Sequence, residues 1–441
     1  MIRSAGKTVK FVTLGCRVNQ YETQAIRESL ERAGVRELDV TAEPSDIAIL
    51  NSCTVTHDAD KTNRYWIRRL KRENPAAKLV VTGCFAERNR AELEKMSEVN
   101  YIFNNQEKGA IAGSILSSGS QEFQNEIPPP EAFLPLTISR HEDHIRANVK
   151  IQDGCNRSCS FCKVVLARGP SRSRPLEDIE AEVLRLRDAG YQEIILTGIQ
   201  LGAYGLDRKK SKEAGSLCEV IKLCAEVEGI QRIRLSSIEP MDVRDPLLET
   251  FLNVPKLCPH LHIPLQSGDD EVLKKMNRGY KGQDYVEIVQ KIRKRVPNFN
   301  LTLDVMVAFP GETEKQFQNT LEVLAAVEPL KCHVFPYSRR EGTQAAQMKD
   351  VPAEVRRERA QRAITRAGKI SETVRGHYIG RTFDVLAEHQ NPRTGLWEGQ
   401  TVNGLRVFFE FPRHVRGCII PVILTDLFQE GCLGRVLMTS N

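Results

Sequence analysis

Asp153-Gly154-Cys155-Asn156-Arg157-Ser158-Cys159-Ser160-Phe161-Cys162 places three thiols within eight residues, directly after the apolar run Ala147–Ile151. A loop that follows a strand sits at the carboxyl end of a sheet, where α/β folds assemble their sites. Three thiolates on one tight loop hold three irons of a four-iron cluster and leave the fourth iron open to a small molecule. A closed tetrahedral zinc site is the competing reading; it needs a fourth ligand, and no cysteine or histidine follows at the usual short spacing.

Around this loop, apolar runs recur at Ile145–Ile151, Glu193–Leu196, Ile233–Leu235, His260–Pro264, Leu301–Val307 and His333–Phe335, most of them separated by helix-patterned segments. Six such units predict a partial, open (βα)6 barrel over residues 141–372. Upstream, residues 7–120 alternate strand-like runs (Val9–Leu14, Asp46–Leu50, Lys78–Thr82) with helical stretches, which predicts a small parallel α/β domain. Residues 119–140, with Pro128-Pro129-Pro130, lose periodicity as a connector does. Val351–Arg375 reads as one arginine-rich helix, a basic connector, and residues 376–440 switch to short strands with turn signals, the pattern of a small all-β barrel. The fold class is therefore α/β with an all-β carboxyl-terminal domain.

The 441 residues carry 12 cysteines and a formal charge of +6, and are 41% apolar and 27% charged, the balance of a folded soluble chain rather than a disordered one. No run approaches the roughly 20 apolar residues of a membrane helix, and no export signal precedes the first strand, so a cytoplasmic protein without membrane contact is expected. In a reducing compartment the cysteines point to metal binding rather than disulfides.

Cys16, Cys53 and Cys84 each follow directly on a strand-like run, in Leu14-Gly15-Cys16, Asn51-Ser52-Cys53 and Thr82-Gly83-Cys84. Parallel strands end on one side, so three sulfurs far apart in sequence are expected to converge on a second cluster with an open iron. Cys218, Cys224, Cys258, Cys332, Cys418 and Cys432 show no ligand spacing and read as core or surface thiols.

Thr13-Leu14-Gly15-Cys16-Arg17-Val18-Asn19-Gln20-Tyr21-Glu22, Asn51-Ser52-Cys53-Thr54-Val55, the Cys155–Cys162 loop, Leu235-Ser236-Ser237-Ile238-Glu239-Pro240, His262–Gly268 and Phe309-Pro310-Gly311-Glu312 together resemble the radical S-adenosylmethionine methylthiotransferases over nearly the whole chain. The resemblance implies an amino-terminal methylthiotransferase domain, a radical domain and a carboxyl-terminal TRAM barrel that binds RNA. It implies two 4Fe-4S clusters, with S-adenosylmethionine both as methyl donor and as source of the radical that attacks carbon 2 of an adenine, a position with neither acidity nor leaving group. The run around Cys16 is most similar to the branch acting on threonylcarbamoyladenosine at tRNA position 37, beside the anticodon. Other branches act on isopentenyladenosine or on a ribosomal-protein aspartate. A flavodoxin or ferredoxin-type electron donor and a sulfur donor are implied partners. Two departures stand out: Lys163-Val164-Val165-Leu166 replaces an apolar-Pro-Tyr run, and Ala308 stands where the family has glycine.

Gly198, Glu239, Gln266 and the Phe309-Pro310-Gly311 turn fall near strand ends and are candidates to line the S-adenosylmethionine pocket. For the tRNA anticodon loop the candidates are Arg64 and Arg68, on a basic helix that also bears Tyr65 and Trp66, and Arg168, Arg172 and Arg174, in a run without acidic residues. From a different class, a non-catalytic iron–sulfur protein that binds RNA or senses redox state would have lost an open iron; both cysteine triads are intact.

Overall fold

The computed structural model describes residues 6–54, 57–116, 132–142, 144–208 and 215–437; Val55, most of the 119–140 connector and the last four residues of the chain lie outside the described residues. The first sheet is parallel throughout, in the order Arg36–Glu37, Thr8–Thr13, Ile47–Ser52, Lys78–Gly83, Tyr101–Ile102. Its central strand Ile47–Ser52 is buried at every position, because helices cover both faces. Ile26 and Leu30 of helix Arg17–Arg32 pack on one face and Ile67 and Leu70 of helix His57–Glu73 on the other.

The middle of the chain forms the six expected strands. Arg146–Lys150, Glu193–Thr197 and Arg232–Leu235 make one parallel triple, and His260–His262, Asn300–Val307 and Lys331–Pro336 a second. Isolated parallel bridges Ile233↔Leu257 and Ser237↔His262 join the two, so the strands curve in chain order into an open half-barrel. Side chains alternate across a strand. Ala147, Val149, Ile194, Leu196 and Ile233 enter the apolar core, while Arg234, His260, His262, Thr302 and His333 line a polar lumen.

A closed five-stranded barrel ends the chain, with Thr382–Gln390, Trp397–Thr401, Arg406–Phe409, Gly431–Val436 and Ile419–Phe428 in that order around it. The strand Trp397–Thr401 has no counterpart in the sequence pattern. Its Trp-Glu-Gly-Gln-Thr run is poor in β-branched residues, and the two neighbouring strands impose the extended form.

One apolar core runs through all three regions. It joins Tyr21 and Ala25 to the half-barrel, continues through Ala363, Ile370 and Val374 of helix Ala353–Gly376, and reaches Phe383, Trp397 and Phe409 of the closed barrel. Two expectations change here. The described end of the connector is core: Leu134, Leu136 and Ile138 are buried, and the Tyr21 hydroxyl donates to the Leu136 carbonyl at 2.7 Å. The arginine-rich helix is likewise packed, with Arg359 paired to Glu312 at 2.8 Å and Arg375 donating to the carbonyls of Gln429 and Gly431. Among the described residues no helix is long and apolar enough to cross a membrane.

Candidate active site between two cysteine triads

A two-residue antiparallel ladder, Gln152–Asp153 against Arg172–Ser173, closes the base of the loop that carries Cys155, Cys159 and Cys162. The Cys155 amide donates to the Gly169 carbonyl at 3.1 Å, and the Ser160 amide and hydroxyl reach the carbonyls of Met276 and Lys275. So anchored, the sulfurs meet a polar collar: Gln200 Oε1 lies 3.2 Å from Cys155 Sγ, the Val164 amide 3.3 Å from Cys162 Sγ, and Arg278 donates to Cys159 Sγ at 3.4 Å.

The other triad lies at the carboxyl ends of three adjacent parallel strands. Cys16 caps helix Arg17–Arg32, Cys53 follows Ile47–Ser52, and Cys84 opens the short helix Cys84–Arg88. Glycine precedes two of them, and in each case a side chain would not fit. At Gly15 (φ 98°) a Cβ would stand 2.9 Å from Cys53 Sγ, and at Gly83 (φ 94°) 2.4 Å from the Ser52 carbonyl oxygen. None of the six is in a disulfide among the described residues.

Burial raises the thiol pKa of Cys84 and Cys155 and pushes Cys162 to about 11, while the cations Arg168 and Lys108 pull Cys84 back down. Metal loading at these sites therefore expels protons. Among the described residues the ligand atoms that all fall within 4.8 Å of one another belong to Glu31, Glu37 and Glu142. Three thiols without a fourth ligand, with cations close by, fit an iron–sulfur cluster.

Between the triads lies a buried charge network. Glu22 accepts from Lys150 at 2.7 Å, from Arg168 at 2.8 Å and from Lys108, and Asp153 pairs with Lys150 at 2.7 Å and Arg168 at 3.1 Å. Arg168 also donates to Asn19 Oδ1 at 2.6 Å, and Asn19 in turn donates to the carbonyls of Leu14 and Ser52, beside Cys16 and Cys53. The expectation that Arg168, Arg172 and Arg174 meet RNA is thereby corrected. All three are buried: Arg168 pairs with Glu22 and Asp153, Arg172 donates to the Arg168 carbonyl, and Arg174 pairs with Glu182 at 2.9 Å. A run of arginines without adjacent acids looks solvated in sequence, but the acids arrive from other elements.

On the helix His57–Glu73, Arg64 pairs with Glu92 at 2.6 Å, while Arg68 and Tyr65 are exposed. Of the residues expected around S-adenosylmethionine, Glu239 pairs with Arg278, which also reaches Cys159. Phe309 is buried with its ring edge-on to Phe161 of the cysteine loop, at 6.4 Å between centroids; Pro310 is buried beside it and Gly311 is exposed at φ 74°. Gly198 backs onto Gln152, where a Cβ would come within 2.9 Å of its side chain. Gln266 holds a left-handed backbone (φ 65°) and a buried Oε1 with no hydrogen-bond partner among the described residues. Ala308 also sits at positive φ (56°), which is why glycine suits that position; here the Glu312 carboxylate accepts its amide at 2.8 Å and Arg359 holds Glu312.

A cavity of about 780 Å³ connects the two halves of the site, a size typical of small-molecule pockets. Cys16 and Arg17 line it on one side, Val164 and Thr197–Ile199 on another, and Arg234, His260, His262, Thr302 and His333 fill the lumen. The Arg17 side chain is exposed on the cavity wall, yet the surrounding protein and the like charges of Arg146 and Arg234 lower its pKa to about 10. Sequence spacing did not single out Arg17, Arg278, Gln200, Glu22 or Lys108 as site residues, because each joins the site through tertiary contacts. The one local signal was the position of Arg17 directly after Cys16.

Residues 149–324 match the Radical SAM superfamily, and residues 8–104 match the uncharacterized protein family UPF0004. The chain is 37% identical to the "Threonylcarbamoyladenosine tRNA methylthiotransferase MtaB" of Bacillus subtilis, over 98% of this chain and 97% of the relative. It is 39% identical to the protein of that name from Thermotoga maritima, over 87% of each, and 31% identical to the "tRNA-2-methylthio-N(6)-dimethylallyladenosine synthase" of Corynebacterium jeikeium, over 96% of this chain and 85% of the relative. Among solved structures, the radical S-adenosylmethionine methyltransferase TsrM of Kitasatospora setae superposes with a TM-score of 0.55 over 77% of each chain, at 15% identity. That likeness is one of fold.

Proposed function

We propose that this chain, which belongs to the MtaB-like radical S-adenosylmethionine methylthiotransferases, adds a methylthio group to carbon 2 of threonylcarbamoyladenosine at position 37 of tRNA. The observation that carries the reading is the cavity lined at once by Cys16 of one triad and by Val164, whose amide reaches Cys162 of the other. A target base held there lies between two metal sites.

In this reading Cys155, Cys159 and Cys162 hold a 4Fe-4S cluster and Cys16, Cys53 and Cys84 a second. With S-adenosylmethionine bound, these groups supply the one-electron and methyl-transfer chemistry that an inert carbon–hydrogen bond demands. The protein's own work is positional. Gln200, the Val164 amide and Arg278 orient the sulfurs of the radical loop. Arg278 holds Glu239 beside them, Gly198 lines the cavity, and the Phe309-Pro310-Gly311 turn backs the cysteine loop through Phe161, so these residues would border the cofactor. Lys108 and Arg168 neutralise anionic thiolates at Cys84. The lumen keeps water from the reacting base. Arg64, Arg68 and the closed barrel receive the anticodon arm, and a flavodoxin or ferredoxin-type donor and a sulfur donor complete the cycle, all in the cytoplasm.

The test is nucleoside analysis of tRNA from a strain lacking the gene, restored with the wild-type chain or with Cys16→Ala. Loss of the methylthio group from threonylcarbamoyladenosine, reversed by the wild type and not by Cys16→Ala, supports the reading. Loss from isopentenyladenosine instead moves the chain to that branch, and no change in any methylthio nucleoside refutes it.

A further inference from the structure

Each other arginine or lysine lining the cavity has a partner. Arg234 donates to Glu193 at 2.9 Å, Lys331 pairs with Glu430 at 3.0 Å, Arg406 pairs with Glu398, and Arg375 donates to the carbonyls of Gln429 and Gly431. Arg17 differs. Among the described residues no hydrogen bond or ion pair reaches its side chain, although it lines the same cavity and has Arg146, Arg234 and Glu193 within electrostatic reach.

The Arg17 side chain is exposed on the cavity wall, so its guanidinium is open to an anion that enters the cavity. The carboxylate within its electrostatic reach, Glu193, is already held by Arg234 at 2.9 Å and lies 3.7 Å from Arg232 and 3.9 Å from Arg146. Position narrows the choice of anion: Arg17 follows Cys16 immediately and opens the helix Arg17–Arg32, so its stem leaves the triad and enters the lumen. An anion bound there belongs to the part of the substrate that goes in with the base. A backbone phosphate stays with the polynucleotide at the rim, where Lys331 and Glu430 are exposed. The threonylcarbamoyl substituent on N6 carries a carboxylate and a hydroxyl, and a guanidinium presents a planar fork that matches a carboxylate. An isopentenyl group in the same place is neutral and leaves the charge unanswered.

We infer that Arg17 binds the carboxylate of the threonylcarbamoyl group and makes the site prefer this anionic substituent to a neutral one. The inference rests on the substrate reading above. It assigns no bond-making step to Arg17.

Three anticodon stem-loop RNAs of one sequence test it, carrying threonylcarbamoyladenosine, its methyl ester or plain adenosine at the target position. Binding is measured by fluorescence anisotropy to the anaerobically reconstituted wild type, Arg17→Gln and Arg17→Lys, with iron content as a check on the triad. The wild type is expected to favour the acid over the ester by about 10- to 100-fold, the range of a charge-assisted hydrogen-bonded pair. Arg17→Gln is expected to lose that preference while binding the ester as the wild type does, and Arg17→Lys to keep part of it. An undiminished preference in Arg17→Gln overturns the inference. So does a wild type that binds acid and ester equally but both above adenosine, an outcome that leaves the substrate reading standing. Equal binding of all three RNAs by the wild type defeats the substrate reading itself. Where Arg17→Gln loses iron, the same comparison between iron-free wild type and iron-free variant decides.

Discussion

Replacing Glu22 with glutamine keeps the side-chain volume and removes one charge at the centre of the buried network. Both carboxylate oxygens of Glu22 are engaged, Oε1 by Lys150 at 2.7 Å and Arg168 at 2.8 Å, Oε2 by Arg168 at 3.1 Å and by Lys108. In Glu22→Gln the buried cations Lys108, Lys150 and Arg168 keep only Asp153 as a contacting carboxylate, and Asp153 touches just the last two. Stranding a buried charge by removing its partner costs about 3–5 kcal/mol. Unfolding entropy near 60 °C is about 2.1 cal/mol/K per residue, hence ~0.9 kcal/mol/K for 441 residues. One core joins all three regions, so a single transition is expected, lowered by about 3–5 °C. Differential scanning fluorimetry of the iron-free proteins measures it, and Glu22→Gln/Lys108→Met should recover part of the loss, since the two sites share one network. The pH dependence has a definite sign. The surrounding cations hold Glu22 well below its usual range, and Asp153 at about 2. Stability from such carboxylates is complete above the unfolded pKa near 4 and is lost as pH falls toward about 2. The gap between wild type and Glu22→Gln is therefore level from about pH 5 to 8 and closes below about pH 4. A drop of less than about 1 °C at neutral pH, or a gap still fully open near pH 3, refutes the reasoning.

Gly83→Ala places a Cβ 2.4 Å from the Ser52 carbonyl oxygen at φ 94°, so Cys84 must move; iron bound per chain should fall toward that of a Cys84→Ala variant, and an unchanged iron-to-protein ratio contradicts this. Arg174→Met strands Glu182 in the core and should lower stability by about 3–5 kcal/mol without altering the salt dependence of RNA binding, whereas Arg68→Gln should leave stability unchanged and reduce the salt slope of RNA binding by about one. A reduced slope in a folded Arg174→Met protein would return that arginine to the RNA surface.

The positions of the six cysteines in the fold were legible because their signal is local or topological: three thiols on one loop, and three more each placed directly after a strand. The six half-barrel strands were legible from apolar runs alone, and the closed barrel from turn signals. What the sequence hides is pairing across distance. Arg168, Arg172 and Arg174 look like a basic patch, yet the acids that neutralise Arg168 include Glu22, which lies on the first helix. Leu134, Leu136 and Ile138 look like linker because each packs against other elements with no periodicity of its own. The Ala308 departure shows the opposite case, where one residue carries the answer. Its φ of 56° explains the family's glycine, and an L-residue held there costs about 1–2 kcal/mol, offset here by the Glu312–Arg359 clamp on its amide.

The network also bears on why the two triads belong to one rigid unit. Asn19, Glu22 and Lys108 come from the amino-terminal region, and Lys150, Asp153 and Arg168 from the half-barrel. Alone, the half-barrel set carries one excess positive charge and the amino-terminal set leaves Glu22 with Lys108 as its one cation; only their union satisfies the hydrogen bonds of Glu22. Polar groups of this kind specify a unique arrangement more than they add stability. On the reading proposed above, the transfer depends on the span between the two triads, and a hinge between the two regions would leave that span free to vary. The buried carboxylate of Glu22, reached from both sides by cations 2.7 and 2.8 Å away, removes that freedom, because opening the joint would break these bonds one by one in a space with no water to replace them.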